Sequence, residues 1–317
     1  MATATRDNVN ADVLNLLGTD PQISTSELNT IIQLRYESVY ESWLWSRRLR
    51  DLTIKLIASV SSTSSTTVTA TLDSSTITSA GTPFTSGMAG RQIQVGSEAH
   101  YYFVNSFTST AAVVLGDGEG SAVTWGLATD TAATWRVFQT IYTLPSDADT
   151  LVSLAGDNFE VDELDGGRSA LDALDPARTS TSDHPTHWVY AGENSSGTRE
   201  IEVWPVPTQA VLLRGQYARQ APTLAASTTI GIPRAVMVYA VMADACNMLF
   251  HKTGDQVWGD RAVFYERKYG DEEKRFRFTD LERLSPARSL GHRRRLGGFR
   301  GTDWAASHDA DLFLDGP

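Results

Sequence analysis

Hydrophobic positions along this chain change their period from one stretch to the next, and each period predicts a different kind of element. Val9, Val13, Leu16 and Leu17 recur at helical spacing until Gly18 and Asp20-Pro21 break the pattern, so a short helix is predicted over residues 6–17. Ser24 and Glu27 then make a Ser-x-x-Glu capping box, in which each side chain accepts from the other residue's otherwise unpaired amide. A longer helix should start there. Leu28, Ile31, Ile32, Val39 and Trp43 line one of its faces through about residue 48, and that stripe needs a covering partner.

From residue 52 the chain turns to serine, threonine, valine and glycine, and residues 67–72 alternate at period two. Further strands are predicted at 92–95, 101–107, 111–115 and 134–142. Turn signals separate them, among them Ser79-Ala-Gly-Thr-Pro83 and Gly116-Asp-Gly-Glu-Gly120. Short strands at this spacing predict a small barrel. After Leu144-Pro145, residues 157–175 hold Asp157, Glu160, Asp162, Glu163, Asp165, Asp172 and Asp175 against a single arginine, Arg168, which predicts an exposed acidic loop. Residues 188–190, 199–204 and 210–219 read as a three-stranded meander, its first pair joined across Gly192-Glu-Asn-Ser-Ser-Gly197.

Pro233 favours a helix start, with Val236, Tyr239, Ala240, Ala243 and Leu249 among its apolar positions. Gly254 breaks that run, and a second helix carries Trp258, Ala262, Tyr265 and Tyr269 to about residue 277. Residues 278–317 have little periodicity and read as an extended arm that orders against a partner. The expected class is α+β: a helical bundle from the N- and C-terminal helices, with an inserted small β-barrel, a β-meander and an extended C-terminal arm. The expected divisions are 1–51 (helices), 52–143 (barrel), 144–232 (acidic loop and meander), 233–277 (helix pair) and 278–317 (arm).

With 41% hydrophobic and 21% charged residues, the chain has enough apolar side chain for a sizeable core and is not a disordered protein. Its only cysteine, Cys246, has no internal partner, and residues 1–10 lack the apolar stretch of a signal peptide, so folding in a reducing cytoplasm is expected. No run approaches the ~18 apolar residues of a membrane-spanning helix. The formal charge of −11 argues against a whole-surface nucleic-acid binder, yet the average hides a contrast. Arg283, Arg288, Arg293, Arg294, Arg295 and Arg300 follow one another with no acid among them. Setting those six aside takes the charge of the remainder from −11 to −17.

Catalytic and cofactor patterns are missing. His184 and His187 stand three apart, but Pro185 denies them a regular helical face and no further histidine or cysteine is near in sequence. Asp162-Glu-Leu-Asp165 resembles a calcium loop until Leu164 takes a position that needs an oxygen ligand. Gly116, Gly118 and Gly120 precede no helix, as a dinucleotide fingerprint must. Gly-x-Ser-x-Gly and phosphate-loop motifs do not occur, and Cys246 sits among apolar helix positions. No catalytic residue, cofactor or metal is therefore expected. The arginine-rich arm is the feature with a sharp meaning, because guanidinium groups bond carboxylates and phosphates in bidentate fashion. It implies an anionic partner, DNA or an acidic protein surface, with a merely solvated arm as the third reading, and Phe299, Trp304 and Leu312-Phe-Leu314 tilt the balance toward protein.

Three stretches in order carry a family likeness: Thr85-Ser-Gly-Met-Ala-Gly-Arg-Gln-Ile93, Tyr142-Thr-Leu-Pro-Ser-Asp147, and Tyr217-Ala-Arg-Gln-Ala-Pro222 running through Ile232-Pro233 into a helix. With them the chain resembles the head-to-tail adaptor proteins of tailed bacteriophages, although its β insertion is larger than in the simplest members. The resemblance implies a structural protein of the virion, assembled in the host cytoplasm as a dodecameric ring of its own copies, without a membrane. It also implies a portal protein above, a tail or nozzle protein below, and DNA only as the transiting genome. By the same likeness Arg288, Arg293, Arg294, Arg295, Phe299, Arg300 and Trp304 are expected to bind the portal, and Asp157, Glu160, Asp162, Glu163 and Asp165 to face the lumen. The alternatives are a tail-tube or nozzle component, or a carbohydrate-binding or hydrolytic tail protein.

Overall fold

The two ends of the chain fold together and the middle folds by itself. In a computed structural model that describes residues 4–18, 22–42, 48–63, 66–96 and 100–284, the described residues up to Arg48 and from Ala221 onward make one unit. Leu49–Gln220 make the other. The helices among the described residues are α1 (Arg6–Leu17), α2 (Thr25–Glu41), α3 (Gly167–Leu174), α4 (Arg234–Thr253) and α5 (Gln256–Leu284). All but α3 belong to the first unit.

Local chemistry fixes where these helices begin. The Thr5 hydroxyl accepts from Asn8 N (3.2 Å) while Asn8 Oδ1 accepts from Thr5 N (3.1 Å), a reciprocal cap for α1. At α2, Ser24 Oγ accepts from Glu27 N (3.2 Å) and Glu27 Oε2 accepts from Ser24 N (2.8 Å), the box that the sequence predicts. Lys252 of α4 donates to the other Glu27 oxygen at 2.6 Å, so the cap also ties α2 to α4. Lys252 first, then the Ser24 donors, hold the Glu27 carboxyl down at about 2.

α4 is buried nearly all round, from Val236 through Met237, Val241, Ala245 and Cys246 to Leu249, as expected of a helix that is apolar on every side. Val9 and Val13 of α1, Leu28, Ile32 and Tyr36 of α2, and Ala262 and Phe276 of α5 pack in the same core. Gly254 ends α4 in the left-handed region (φ 72°) with its N–H donated to Phe250 O at 2.8 Å, which lets α5 start two residues later.

Two helix boundaries differ from expectation. α2 stops at Glu41, Arg48 stands in a turn and Leu49 already opens a strand, while Trp43 lies outside the described residues. α5 runs seven residues past the expected end at 277, so residues 278–284 are helical and not the start of an arm. Phe276 and Asp280, one turn apart, are both buried and keep the last turns against the unit.

In the second unit, the region of the expected barrel forms an eight-stranded antiparallel sheet. Its order is Val60–Ser61, Trp135–Phe138, Gln92–Val95, Tyr102–Ser109, Ala112–Gly116, Thr76–Ser79, Val68–Ala70, Asp130–Ala133. Among the described residues no pairing joins the two end strands, so the ladder is not closed. Its inner face buries Ile77, Ile93, Val104, Val113, Leu115 and Val137 around Phe84 and Trp135.

The expected strand over 134–142 is two strands in different sheets, since Trp135–Phe138 belongs to the eight-stranded sheet and Ile141–Thr143 to a four-stranded one. The expected meander is also divided. His187–Glu193 and Arg199–Trp204 pair as a hairpin, but Leu212–Arg219 lies in a separate sheet between Ala148–Ala155 and Leu49–Lys55. Pro205 and Pro207 have no N–H to extend the hairpin ladder, and the chain leaves it there. Gly215 permits the new pairing, because a Cβ at that position would collide with the Ser153 carbonyl oxygen. The two sheets share a core of Leu52, Ile54, Leu151, Trp188, Ile201, Val203 and Leu213. The expected acidic loop also holds a helix, α3, anchored by buried Leu171.

The α2 cap gives a first test. Ser24→Ala removes one half of the box, and urea unfolding should show a loss of about 1 kcal/mol with an unchanged denaturant slope.

Candidate functional site

The acidic segment divides into a solvent-facing part and a buried part. Val161, 3% exposed, anchors the short strand Asp162–Glu163, which pairs in parallel with His187 and Trp188. This leaves Asp157, Glu160, Glu163 and Asp165 exposed and Asp162 half-buried. Beside Asp157 the Phe159 ring stacks on the His184 imidazole at 4.3 Å. Together with Asn158, Ala210, Val211 and Leu212 they line an open groove of about 440 Å³.

Farther along the segment Asp172 stays exposed and Asp175 turns inward, contrary to an exposed loop throughout. Asp175 is 5% exposed and accepts from Thr179 N (2.8 Å), Ser180 N (2.9 Å) and the Trp204 indole (2.9 Å). Burial works against its charge, but the Trp204, Ser180 and Thr179 donors outweigh it and hold the carboxyl down at about 2.

Arg178 is fully buried. Its Nε donates to Glu202 Oε1 at 2.7 Å and its Nη2 to Glu202 Oε2 at 3.2 Å, and it also bonds the Asp172 carboxylate and the Asp175 carbonyl. Burial opposes the guanidinium charge, yet Glu202 and then Asp172 raise it above the usual arginine range. The backbone of Arg178 has φ 53°, a left-handed conformation that costs a non-glycine residue about 1–3 kcal/mol and that this side chain's partners hold in place.

The same network reaches the eight-stranded sheet. Glu202 Oε1 accepts from Thr140 Oγ1 (3.0 Å), and Thr140 exchanges bonds with Gln92, donating N–H to Oε1 (2.9 Å) and accepting from Nε2 (2.7 Å). Arg136 of that sheet donates to the carbonyls of Arg178 and Thr179 while lying over the Phe138 ring at 4.6 Å. A densely bonded buried network of this kind, in which only the Arg136 Nε lacks a partner, locks sheets into one arrangement. It carries no open position for a substrate.

The remaining candidates stay apart. His184 stacks on Phe159, whereas His187 Nδ1 lies 2.8 Å from Thr186 Oγ1 and its ring sits beside Trp204. Among the described residues no three His, Cys, Asp or Glu side chains gather as metal ligands. Burial pushes the Cys246 thiol up to about 11, away from nucleophilic use. Arg288, Arg293, Arg294, Arg295, Phe299, Arg300 and Trp304 lie outside the described residues. Sequence reasoning missed Gln92, Thr140, Arg178 and Glu202. Only the nearness of Arg178 to Asp172 and Asp175 hinted at a pair.

Comparison with known families supplies the class, a structural adaptor of bacteriophage virions. Residues 98–290, more than half of the 317-residue chain, match the SU10 adaptor protein, and the chain belongs to that family. Among curated proteins nothing matches it at a significant level. No helix among the described residues is long and apolar enough to cross a membrane.

Two predictions test the network. Glu202→Ala strands a buried guanidinium and should destabilise the protein by about 3–5 kcal/mol in urea unfolding. Asp175, with its folded carboxyl below the unfolded value, contributes stability above about pH 4 that disappears as pH falls toward 2. Asp175→Asn should lose about 2 kcal/mol at neutral pH and flatten the acid-unfolding profile over that window.

Proposed function

We propose that the protein forms a ring of its own copies beneath the portal and connects it to the tail, with the genome passing through. The observation that carries this reading is the family match over residues 98–290, which takes in the last four strands, in chain order, of the eight-stranded sheet, the whole four-stranded sheet, Ala148–Ala155 and Leu212–Arg219 of the third sheet, and α3, α4 and α5. It favours the adaptor over a carbohydrate-binding or hydrolytic tail protein, and over a tail-tube or nozzle component.

The arm is the anchor in this reading. α5 carries the chain as helix to Leu284, and the arginines follow directly. Arg288, Arg293, Arg294, Arg295 and Arg300 bond portal carboxylates in bidentate fashion, and Phe299 and Trp304 supply apolar anchors. The exposed carboxylates of Glu160, Glu163 and Asp165 face the passage, where negative charge keeps DNA from adhering, and Asp157 stands at the edge of that surface. A tail or nozzle protein meets the opposite end of the ring.

A chain ending at Leu284 tests the anchor. It should keep the circular dichroism and melting temperature of the full protein and fail to sediment with purified portal. Equal portal binding by the shortened chain overturns the arm's role. Tight binding to duplex DNA that falls steeply between low and moderate salt would make DNA the arm's partner instead.

A further inference from the structure

The outer side of α5 is unusual for a helix in a protein of charge −11. Val257, Phe264 and Phe278 are 59%, 54% and 71% exposed, and they stand seven and fourteen residues apart. Seven residues make nearly two helical turns, so the three lie along one line of the helix, interrupted by Asp271. Four residues on from Val257, Phe264 and Asp271 come Arg261, Lys268 and Arg275, a parallel ridge of cations. The Lys268 ammonium lies 5.8 Å from the centre of the Phe264 ring, which places a charge beside an exposed aromatic.

The second unit presents the complement. The groove beside Asp157 has an apolar wall of Phe159, Val211 and Leu212, with Leu212 itself 41% exposed, and it is large enough for a phenyl ring. Exposed Asp157 supplies a carboxylate at the groove, and exposed Glu160 follows three residues later. The α5 stripe therefore has apolar and cationic character where the groove has apolar and anionic character.

We propose that Phe264 of one copy docks into the Phe159–Leu212 groove of a second copy, with Lys268 set against Asp157. The two surfaces are different patches of the same chain, so the contact is head-to-tail, and repeated around an axis it closes a ring or continues as a filament. The contact specifies what holds neighbours together and rests on the ring reading above. An acidic surface elsewhere repels other approaches between copies, which makes this pairing selective. Phosphate recognition does not explain the stripe, because a phosphate backbone offers nothing to an exposed phenylalanine.

A photoreactive benzoylphenylalanine at position 264 of the full chain tests the contact, with isotopically heavy and light copies mixed, alone at high concentration and on purified portal. Cross-links should join heavy to light chains and map to peptides holding residues 157–159 or 210–212. In sedimentation velocity, Phe264→Ser and Lys268→Glu should each weaken self-association by about tenfold or more. Lys268→Glu combined with Asp157→Lys should restore it. Melting temperatures should stay unchanged, since these side chains are exposed. If rings form but the cross-links map within one chain, to portal or to DNA, or if Phe264→Ser assembles normally, this contact is wrong while the ring reading stands. If wild-type protein forms no ring even on portal, the ring reading itself fails.

Discussion

The second unit depends on one buried ion pair. Arg178 and Glu202 are both removed from water, and an isolated charge there would cost several kcal/mol. The cost is met because nearly every lone pair and N–H around them is used: Thr140 and Gln92 from the side of the eight-stranded sheet, Asp172 and the Asp175 carbonyl from the former acidic stretch. An apolar contact is non-directional and does not by itself fix which atoms must meet. This one has a single geometry, so the sheets it joins behave as one piece. For a structural adaptor of a virion, that definition is more useful than extra stability.

The first unit solves a different problem with ordinary means. α4 is apolar all round and would be insoluble alone, so α1, α2 and α5 cover it. Polar ties at the rim set their positions, such as Lys252 to the α2 cap and Arg35 between Asp244 and Glu266. The helical unit is thus a layered core with its charges at the edges, whereas the second unit keeps a charge at its centre.

Much of this is legible in the sequence where local chemistry decides. The α1 span, the Ser24 box, the start of the helix after Pro233, and the strands Gln92–Val95 and Arg199–Trp204 follow from caps, prolines and period. What is not legible depends on neighbours distant in sequence. Alternation along Arg199–Trp204 marks Ile201 and Val203 as inward and gives no sign that Glu202, on the other face, is buried as well, because that face is covered by Arg178. Periodicity likewise finds the strand Leu212–Arg219 but cannot say that its partners are Ala148–Ala155 and Leu49–Lys55. The acidic run reads as uniformly solvated because charge alone does not reveal the donors around Asp175. The exposed apolar line on α5 is also hidden, since a sequence does not say which side of a helix stays uncovered.

The insertion of one unit between the halves of the other has a consequence for how the chain is made. As it leaves the ribosome, α2 emerges with Leu28, Ile31 and Ile32 bare, and α4, which covers them, follows only after all of Leu49–Gln220. The inserted unit can fold while the rest is still being synthesised, and domains generally do fold as they appear. Once folded, it replaces a long flexible loop with a stiff bridge and lowers the entropy that α2 and α4 lose on meeting. Translation order, as well as packing, therefore favours the central charged network forming before the helical core closes.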